Sequence, residues 1–552
     1  SGSPAIDAGN PNAFYNDSDG SQNDMGYTGG NGIVVTPLAL DFANAGIGNN
    51  GLTENIYIYN TGNDSVIFDS YSTTDNQFTV TNPSLPVTIQ SFEKRSLNVQ
   101  FVPTSSGEQT STIELSFSNL SNNNGSFSAV GMAYTIPSGD INVPADAPTI
   151  QIAIDIAPGG KTIVVAPGEY FEKLIFNGKN NITLTSSSGP DQTIINAGGT
   201  GTVVYFDGSE NILDGFTLTG GEGSGVYGYA CWDCSLTNLI VTENTNGNPV
   251  SMGNYPTIKN VLIANNSGAD ASAIYLECGS GTNNLLQNVT IANNSVSYGI
   301  NYQSNDSGNG VDTLTLINSV ISGNLSESFY VNESYNNTRI NIYNSLIEGG
   351  ESSVNSNDDG SGYTYDLNWD SSNLTSYPYF SDPDNGDYSL SSYSPMIGAG
   401  AMSVTIDGVT YEAPDTDILG NARPSPSGTS PDIGAYESSE SAADYNPHKY
   451  VATNGNNGNS GVLTDPFLTI QYAIDQAIDD DFIHVAAGTY VENIDYDGKN
   501  ISIIGEDRET TIIDGNQNGP VVDCYFNNMY FTPVLQSVTL TNGVGINFES
   551  NI

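Results

Sequence analysis

The fold is decided by a 22-residue stretch that occurs twice. Residues 149–170 read TIQIAIDIAPGGKTIVVAPGEY, and residues 469–490 read TIQYAIDQAIDDDFIHVAAGTY. The offset of 320 residues persists to Asn180 and Asn500, after which a deletion shortens it. Each copy begins with Ile and Ala at helical spacing and continues with the alternating apolar pattern of short β-strands. We therefore predict two copies of the start of one kind of domain.

A shorter repeat fills the chain between these starts. Five similar elements, such as NVLI and NVTI, follow one another at spacings of 22–30 residues, which suits one coil of a parallel β-solenoid. Asn suits a turn in each coil, because it tolerates the left-handed backbone region and can hydrogen-bond to the Asn of the next coil. The leading residues are therefore predicted to form a structural ladder: Asn238, Asn260, Asn288, Asn318 and Asn344. The first four elements carry a second Asn six residues on: Asn244, Asn266, Asn294 and Asn324.

Further similarities divide the chain into modules. Residues 3–9, SPAIDAG, recur as SPMIGAG at 394–400, which indicates two domain ends. About seven short alternating segments in the region before the first start predict an immunoglobulin-like β-sandwich. A short helix at each solenoid start is predicted to cover the open first coil. The predicted modules are 1–32, the end of a preceding β-helix; 33–135, the sandwich; 136–438, a complete β-helix with its end motif; 439–447, a linker; and 448–552, the start of a further β-helix.

The composition excludes several functions. The 552 residues include 61 acidic and 11 basic side chains, a formal net charge of -50. Nucleic acids and anionic membranes need clustered Lys and Arg, so neither is expected as a partner. Four cysteines are too few for a disulfide scaffold, and no apolar run approaches the ~20 residues of a membrane helix. The opening Ser1-Gly2-Ser3 carries no signal segment, so we expect the chain to be an interior part of something longer.

Three family resemblances follow from these motifs. The starts at 141–200 and 448–515 resemble pectin-lyase-like right-handed parallel β-helices of secreted bacterial proteins. The domain end, with Arg423-Pro424 and DIGAYE at 432–437, resembles the choice-of-anchor Q region. The sandwich resembles HYDIN-like or choice-of-anchor D domains through Leu40-Asp41-Phe42 and Asn60-Thr61-Gly62. These resemblances imply an all-β chain displayed outside the cell, but the fold hosts lyases, hydrolases, epimerases, adhesins and spacers alike.

Catalytic residues are scarce. A polysaccharide lyase needs a basic side chain beside a carboxylate cluster, and a hydrolase needs two carboxylates about 5–9.5 Å apart. Lys259 and Arg339 are isolated in the repeat, and Arg423 is expected to pair with a carboxylate near it. Lys161, Lys173 and Lys179 are expected to be solvated residues of the first coils. We therefore predict no catalytic residues and no enzymatic activity.

Two other motifs leave alternatives open. Cys231-Trp232-Asp233-Cys234 follows a strand rather than opening a helix, which favours a local disulfide or two thiols in a turn over a redox site. Aromatic residues recur near one coil position and form either an interior stack or an exposed platform for sugar rings or a partner. The members of this predicted set are Tyr227, Trp232, Tyr275, Tyr302 and Tyr330.

Acidic turns suggest one kind of ion. Aspartates stand beside Gly turns near residue 20 and near residue 385, and Ca²⁺ prefers such oxygen ligands. Neither stretch matches an EF-hand, and solvated turns are the alternative. The residues of the two hypothetical calcium sites are Asp17, Asp19, Asp24, Asp382, Asp384 and Asp387.

The sequence thus predicts a structural, secreted or cell-surface repeat protein. In this hypothesis rigid β-helix rods alternate with a sandwich, and the chain continues into neighbouring repeats or self-associates head to tail. Two alternatives are a carbohydrate-binding adhesin that uses the tyrosines and a polysaccharide lyase or epimerase. No cofactor other than Ca²⁺ is suggested, and glycans are the candidate ligands.

Overall fold

The structure is a computed structural model of the 552-residue chain. It describes residues 32–49, 51–62, 64–118, 125–228, 230–279, 281–304, 310–324, 327–332, 337–357, 365–443, 447–526 and 532–550. Asp17, Asp19 and Asp24 of the first predicted calcium site lie outside these ranges.

Residues 33–134 form two β-sheets that enclose one apolar core. A four-stranded sheet has the order β1-β3-β7-β5, and a five-stranded sheet has the order β2-β9-β8-β4-β6. Phe42, Phe78 and Phe101 meet in the core, with ring centroids 4.5–5.8 Å apart. The immunoglobulin-like class of this sandwich stays a prediction. The strands are β1 (Ile33–Thr36), β2 (Ala39–Gly46), β3 (Leu52–Asn60), β4 (Val66–Thr73), β5 (Phe78–Asn82), β6 (Val87–Ile89), β7 (Lys94–Phe101), β8 (Gly107–Phe117) and β9 (Gly125–Tyr134).

The predicted all-β class and the parallel β-helix are confirmed. Two solenoids together have about 14 turns, and all their coil strands pair in parallel. The first contains α1 (Ile150–Ile156), β10 (Ile141–Val143), β11 (Thr162–Val165), β12 (Gly168–Tyr170), β13 (Leu174–Ile175), β14 (Thr183–Ser186), β15 (Thr193–Asn196), β16 (Val204–Tyr205), β17 (Ile212–Asp214), β18 (Thr217–Thr219), β19 (Val226–Gly228), β20 (Ser235–Thr242), β21 (Val250–Gly253), β22 (Thr257–Ala264), β23 (Ser267–Cys278), β24 (Asn283–Ala292), β25 (Ser295–Ser304), β26 (Val311–Ile317), β27 (Val320–Ser322), β28 (Glu327–Asn332), β29 (Asn337–Tyr343), β30 (Leu346–Ile347), β31 (Val354–Asn357) and β32 (Tyr365–Trp369).

The remaining elements follow in chain order. Short 3₁₀-helices lie at Gly350–Ser353 and Pro383–Asn385. Both described α-helices have seven residues, too few to cross a bilayer. The remaining strands, with the second solenoid beginning at β37, are β33 (Phe380–Asp382), β34 (Asp387–Leu390), β35 (Ser403–Ile406), β36 (Val409–Glu412), β37 (His448–Val451), β38 (Phe482–Val485), β39 (Gly488–Val491), β40 (Ile494–Asp495), β41 (Ser502–Gly505), β42 (Thr511–Asp514), β43 (Val522–Phe526), β44 (Val534–Gln536), β45 (Thr539–Thr541) and β46 (Ile546–Ser550), with α2 (Ile470–Gln476) before β38.

The coil repeat comes from stacking of like residues. Leu213, Leu236, Ile258, Leu286 and Leu316 occupy one register position on successive strands, and all are buried. Adjacent strands lie about 4.8 Å apart, so each apolar side chain packs directly on the next. The core of the first solenoid is therefore a column along its axis.

The two copied starts fold alike. Thr149 caps helix α1 by accepting from the Ile152 amide, and Glu172 accepts from the amides of Ile150 and Gln151. In the second copy Thr469 and Glu492 make the corresponding bonds. The same residues therefore satisfy the free N–H groups of both helices.

The ladder divides into two sets of asparagines. The five leading asparagines, from Asn238 to Asn344, all have φ between 46° and 54°, which places them at left-handed bends. Among them, only Asn260 and Asn238 are joined by a side-chain hydrogen bond in the part of the chain that the structure describes, at 3.1 Å. The second set forms the continuous buried ladder, with amide-to-amide distances of 2.9–3.1 Å between Asn244, Asn266, Asn294 and Asn324.

Four of the five leading asparagines bind a folded-back part of the chain, residues 380–437, which we name the end segment. Asn260 donates to the Thr416 carbonyl at 2.8 Å, Asn288 to that of Gly434 at 3.1 Å, and Asn318 to that of Ala401 at 2.9 Å. Asn344 donates to the Ala399 carbonyl at 3.1 Å. The end segment therefore covers the bends of successive coils.

Candidate functional site

One sheet of the first solenoid presents a row of aromatic side chains. It has eight parallel strands in the order β13-β16-β19-β21-β23-β25-β28-β31. Tyr205, Tyr227, Tyr275 and Tyr330 share one outward register position on this sheet, interrupted by Ser251 and Asn301. We name these four residues the tyrosine row. Three of them were predicted from the sequence, and Tyr205 was missed because it precedes the clear coil repeat.

Tyr302 lies on the other side of the same sheet. It pairs in register with Leu276 and Val331, its exposure is 0%, and its hydroxyl accepts from Asn284 Nδ2 at 3.0 Å. The neighbouring Asn301 is the residue in line with Tyr275. Because side chains alternate across a strand, this one-residue difference sends Tyr302 into the core. Tyr302 is therefore part of the interior, as one sequence interpretation predicted, whereas Tyr227, Tyr275 and Tyr330 face outward, as the other predicted.

The members of the tyrosine row are partly exposed and held by neighbours. The rings of Tyr205 and Tyr227 stack with centroids 5.4 Å apart. The Tyr275 hydroxyl donates to Gln303 Oε1 at 2.5 Å. Aromatic rings held in place beside polar groups can stack on the faces of sugar rings.

The cysteine motif lies beside this row. Cys231 and Cys234 are joined by a disulfide, and both are buried. Trp232, between them, is 48% exposed and lies 6.0 Å from the ring of Tyr255. The disulfide therefore fixes a turn that holds Trp232 at the surface, separate from the register of the tyrosine row.

The lysines of the first coils differ from the sequence expectation. Lys179 Nζ donates to the carbonyls of Asp155 and Ala157 at 2.7 and 2.9 Å, and so satisfies the C-terminal carbonyls of α1. Lys499 makes the same contacts with Ile474 and Asp475 in the second copy. Lys179 was expected to be solvated, but an open helix C-terminus attracts an ammonium.

Both arginines of the complete solenoid are engaged. Arg339 pairs with Asp366 and Asp407 at 3.0 and 3.1 Å on the surface. Arg423 pairs with Glu437 at 2.8 Å in the end segment, as the sequence predicted for a neighbouring carboxylate. Neither guanidinium contacts the tyrosine row in the described residues.

Lys259 has a different setting. It lies on β22, between Thr237 and Gln287 in register, and lines an open groove of about 450 Å³. Burial lowers the pKa of its ammonium. The groove is formed by outward residues of four coils and one edge of the end segment: Thr183, Thr185, Ile212, Asp214, Thr237, Asn238, Lys259, Asn260, Pro414 and Thr416.

The second predicted calcium loop gives no support for an ion site. Asp382 and Asp387 pair in register, and Asp382 Oδ2 accepts from Asn385 at 2.8 Å. Asp384 lies in the 3₁₀-helix between them. Within the described ranges, no three acidic, His or Cys side chains lie together in a way that would hold a metal ion.

The only two histidines of the sequence meet in the second solenoid. Nδ1 of His448 and Nε2 of His484 are 2.9 Å apart on adjacent strands. Burial and the charge of His448 lower the pKa of His484. The two histidines are 36 residues apart, which is the length of the first coil, and this spacing is the only feature of the sequence that indicates the contact.

Comparisons with known proteins give only distant matches. No protein-family model and no curated protein matches the chain. Pectate lyase Pel9A is 14% identical with a TM-score of 0.31, and the match covers 54% of this chain and 96% of Pel9A. A mutant of the PL6 family alginate lyase AlyGC is 13% identical with a TM-score of 0.23, over 73% of this chain and 72% of AlyGC.

A third match concerns a smaller part of the chain. The ASH or PapD-like domain 7 of human CEP192 is 13% identical with a TM-score of 0.16, over 19% of this chain and 87% of that domain. At these identities and TM-scores the matches say nothing about activity, and the parallel strand pairing of the chain itself is what defines its β-helix.

Proposed function

We propose that this chain is a structural repeat protein of the bacterial cell exterior, in which β-helical rods and a sandwich are fixed end to end. The observation that carries this proposal is that successive modules touch through specific side-chain hydrogen bonds. Modules that were connected only by flexible linkers would not need such contacts.

The first junction joins the sandwich to the cap of the complete solenoid. Asn44 Nδ2 donates to Asp155 Oδ2 at 3.0 Å, and Asn49 Nδ2 donates to the Ile156 carbonyl at 3.0 Å. Strand β2 and helix α1 are thereby in direct contact. In the second copy, Asp475 and Gln476 stand at the positions of Asp155 and Ile156, and both are exposed. The first cap is thus adapted to a covering module.

The second junction joins the two solenoids. The Tyr379 hydroxyl donates to the Asp479 carbonyl at 2.7 Å. Burial, together with the charges of Asp479, Asp480 and Asp481, raises the pKa of Tyr379, so it remains a neutral donor. This bond spans the linker and supports a defined angle between the rods.

The location is part of the proposal. The Cys231–Cys234 disulfide favours an oxidising compartment, because cytosolic thiols are kept reduced. The bacterial exterior is also where the resembling choice-of-anchor Q and HYDIN-like or choice-of-anchor D modules occur, and we assign the end segment and the sandwich to those types. Self-association or continuation into neighbouring repeats would lengthen the rod.

Small-angle X-ray scattering of the full chain tests the proposal. We expect a single maximum dimension and a profile that one rigid particle fits. The double variant Asn44→Ala/Asn49→Ala should broaden the distance distribution, whereas Asn82→Ala, on the surface of the same sandwich, should not. A wild-type profile that requires freely jointed modules would contradict the proposal.

A second function, glycan binding, is favoured by the outward position of the tyrosine row. Partly exposed rings that face outward along a rod suit the sugar rings of an extended chain. A glycan array should lose signal with Tyr227→Ala and Tyr275→Ala. Tyr393→Ala is the matched control, since Tyr393 is exposed (53%) and outside the row.

We propose no catalytic step. A lyase or epimerase would need a cation and a second basic side chain beside its substrate. The carboxylates of Asp366 and Asp407 already occupy Arg339, and the residues that line the groove of Lys259 include no second basic side chain. Release of unsaturated uronates, followed by ultraviolet absorbance, would contradict this part of the proposal.

A further inference from the structure

The eleven basic side chains of this acidic chain are almost all partnered. Arg95, Arg339, Arg423 and Lys449 pair with carboxylates. Others contact carbonyls, a hydroxyl or an aromatic face: Lys94, Lys161, Lys173, Lys179 and Lys499. Arg508 lies on an exposed turn. Lys259 remains, with no hydrogen bond or ion pair to any residue that the structure describes.

The position of Lys259 makes this lack of a partner unusual. Its side chain is partly buried, and desolvation alone lowers the pKa of the ammonium. Removing an ammonium from water without a counter-charge is unfavourable. The residue therefore destabilises the empty protein relative to an apolar side chain at the same place.

The carboxylate of Asp214 is not a counter-charge for Lys259. Its oxygens accept from Thr185 Oγ1 at 2.8 Å, Thr237 Oγ1 at 2.9 Å and Asn238 Nδ2 at 2.7 Å. Asp214 and Lys259 form no ion pair within 4.0 Å in the part of the chain that the structure describes. Neutral donors thus hold Asp214 at the floor of the groove, and the ammonium stays available.

Two parts of the fold, the coils and the end segment, together form the groove around Lys259. Coils supply its floor, and the end segment supplies Pro414 and Thr416 as one wall. Asn260 fixes that wall by donating to the Thr416 carbonyl at 2.8 Å. The volume of about 450 Å³ lies within the usual range of small-molecule sites, about 300–1,000 Å³.

We propose that this groove binds a small polyhydroxy carboxylate, with the carboxylate of the ligand on Lys259. Hydroxyl groups of the ligand would face the Asp214 carboxylate and the threonine hydroxyls, which suit alcohols better than apolar groups. The net charge of -50 repels polyanions, so a monoanion fits better than an acidic polymer. This site is separate from the tyrosine row and does not depend on the proposed structural role.

The first test measures the stability of the empty protein. Lys259→Met should raise the melting temperature by about 1–3 °C, because an unpaired, partly buried charge is removed. Lys173→Met, at a lysine bonded to the Thr200 hydroxyl, is the control and should leave it unchanged or lower. A fall in melting temperature for Lys259→Met would mean that the protein itself already supplies a counter-charge, and would overturn the proposal.

The second test measures binding in the full chain. Isothermal titration with gluconate should give saturable binding, with neutral glucose inactive, and Lys259→Met should weaken the affinity at least about tenfold. Lys259→Arg keeps the charge and should retain binding, which separates loss of charge from misfolding. Equal gluconate affinity in wild type and Lys259→Met, or no binding to wild type, would overturn the proposal. Acetate binding as tightly as gluconate would overturn its hydroxyl part.

A signal at the lysine itself completes the test. After ¹³C-methylation of the lysines, the Lys259 resonance, assigned by its loss in Lys259→Met, should show a pKa that rises on adding gluconate, since an opposite charge favours the ammonium. A resonance that gluconate leaves unmoved while binding persists would place the ligand elsewhere and overturn the proposal.

Discussion

Arg423 and Glu437 form an ion pair of 2.8 Å in which neither side chain is exposed to solvent. Arg423 also donates to Asn260 Oδ1 at 2.9 Å and to the Gly434 carbonyl at 3.0 Å. One guanidinium thus ties the end segment to an asparagine 163 residues earlier. The Arg-Pro and DIGAYE motifs of the domain end are two halves of this one contact.

Loss of this guanidinium should strongly destabilise the first solenoid. Arg423→Met leaves Glu437 buried without its partner, which typically costs about 3–5 kcal/mol of unfolding free energy. Urea unfolding measures the loss. Arg339→Met removes an exposed pair and should cost less than about 1 kcal/mol; equal losses in the two variants would contradict the interpretation.

Acidification should stabilise the end segment. Burial raises the pKa of Asp432 from 3.8 to about 7, despite amide donors from Gly398 and Ser438. The folded state therefore holds this proton up to about pH 7, whereas the unfolded state releases it near 3.8. The contribution is complete at low pH and is lost as pH rises through 7, by about 1–3 kcal/mol between pH 5 and 8.

Urea unfolding of the first solenoid at several pH values measures this slope. Asp432→Asn should flatten it, because the titrating group is gone. An unchanged pH dependence in that variant would assign the proton to another group.

The start of the second solenoid should respond to pH in the opposite direction. The pKa of His484 is lowered from 6.5, first by burial and then by the charge of His448. As pH falls below 6.5, the unfolded state takes up the proton first, so the folded state loses stability until its own pKa is passed. The protection factors of the amide hydrogens in β37 and β38, corrected for the intrinsic exchange rate at each pH, should therefore fall between pH 7 and 5. His484→Gln should remove most of this change, whereas Tyr450→Phe should keep it.

The buried asparagine ladder should be more sensitive to substitution than an exposed asparagine of the same solenoid. Asn266 donates to the Val241 and Ala264 carbonyls and to Asn294 Oδ1, and its own oxygen accepts from Asn244. Asn266→Ala leaves several buried groups unsatisfied and should cost about 2–4 kcal/mol in urea unfolding. Asn283→Ala, at an exposed strand position of the same solenoid, should cost under about 1 kcal/mol, and comparable losses would contradict the ladder.

Repetition made the fold predictable, and long-range contacts limited the prediction of sites. The two helical starts and the coil period are visible because the same residues recur. Tyr302 was grouped with Tyr275 because sequence spacing cannot resolve a one-residue shift, which is enough to reverse the face of a strand. The partner of Asn260 is Arg423, and no local pattern links residues so far apart. Lys259 looked merely isolated, since its burial depends on the folded-back end segment.

The exchange of Ile156 for Gln476 between the two cap helices has an evolutionary consequence. Ile156 is buried, and Gln476 is exposed. Recombination that exchanged the two cap helices would expose the apolar Ile side chain to water in one copy and bury the polar Gln side chain in the other. Duplication of this chain is therefore expected to copy the sandwich and the solenoid behind it as one heritable block, with the breakpoint at the linker.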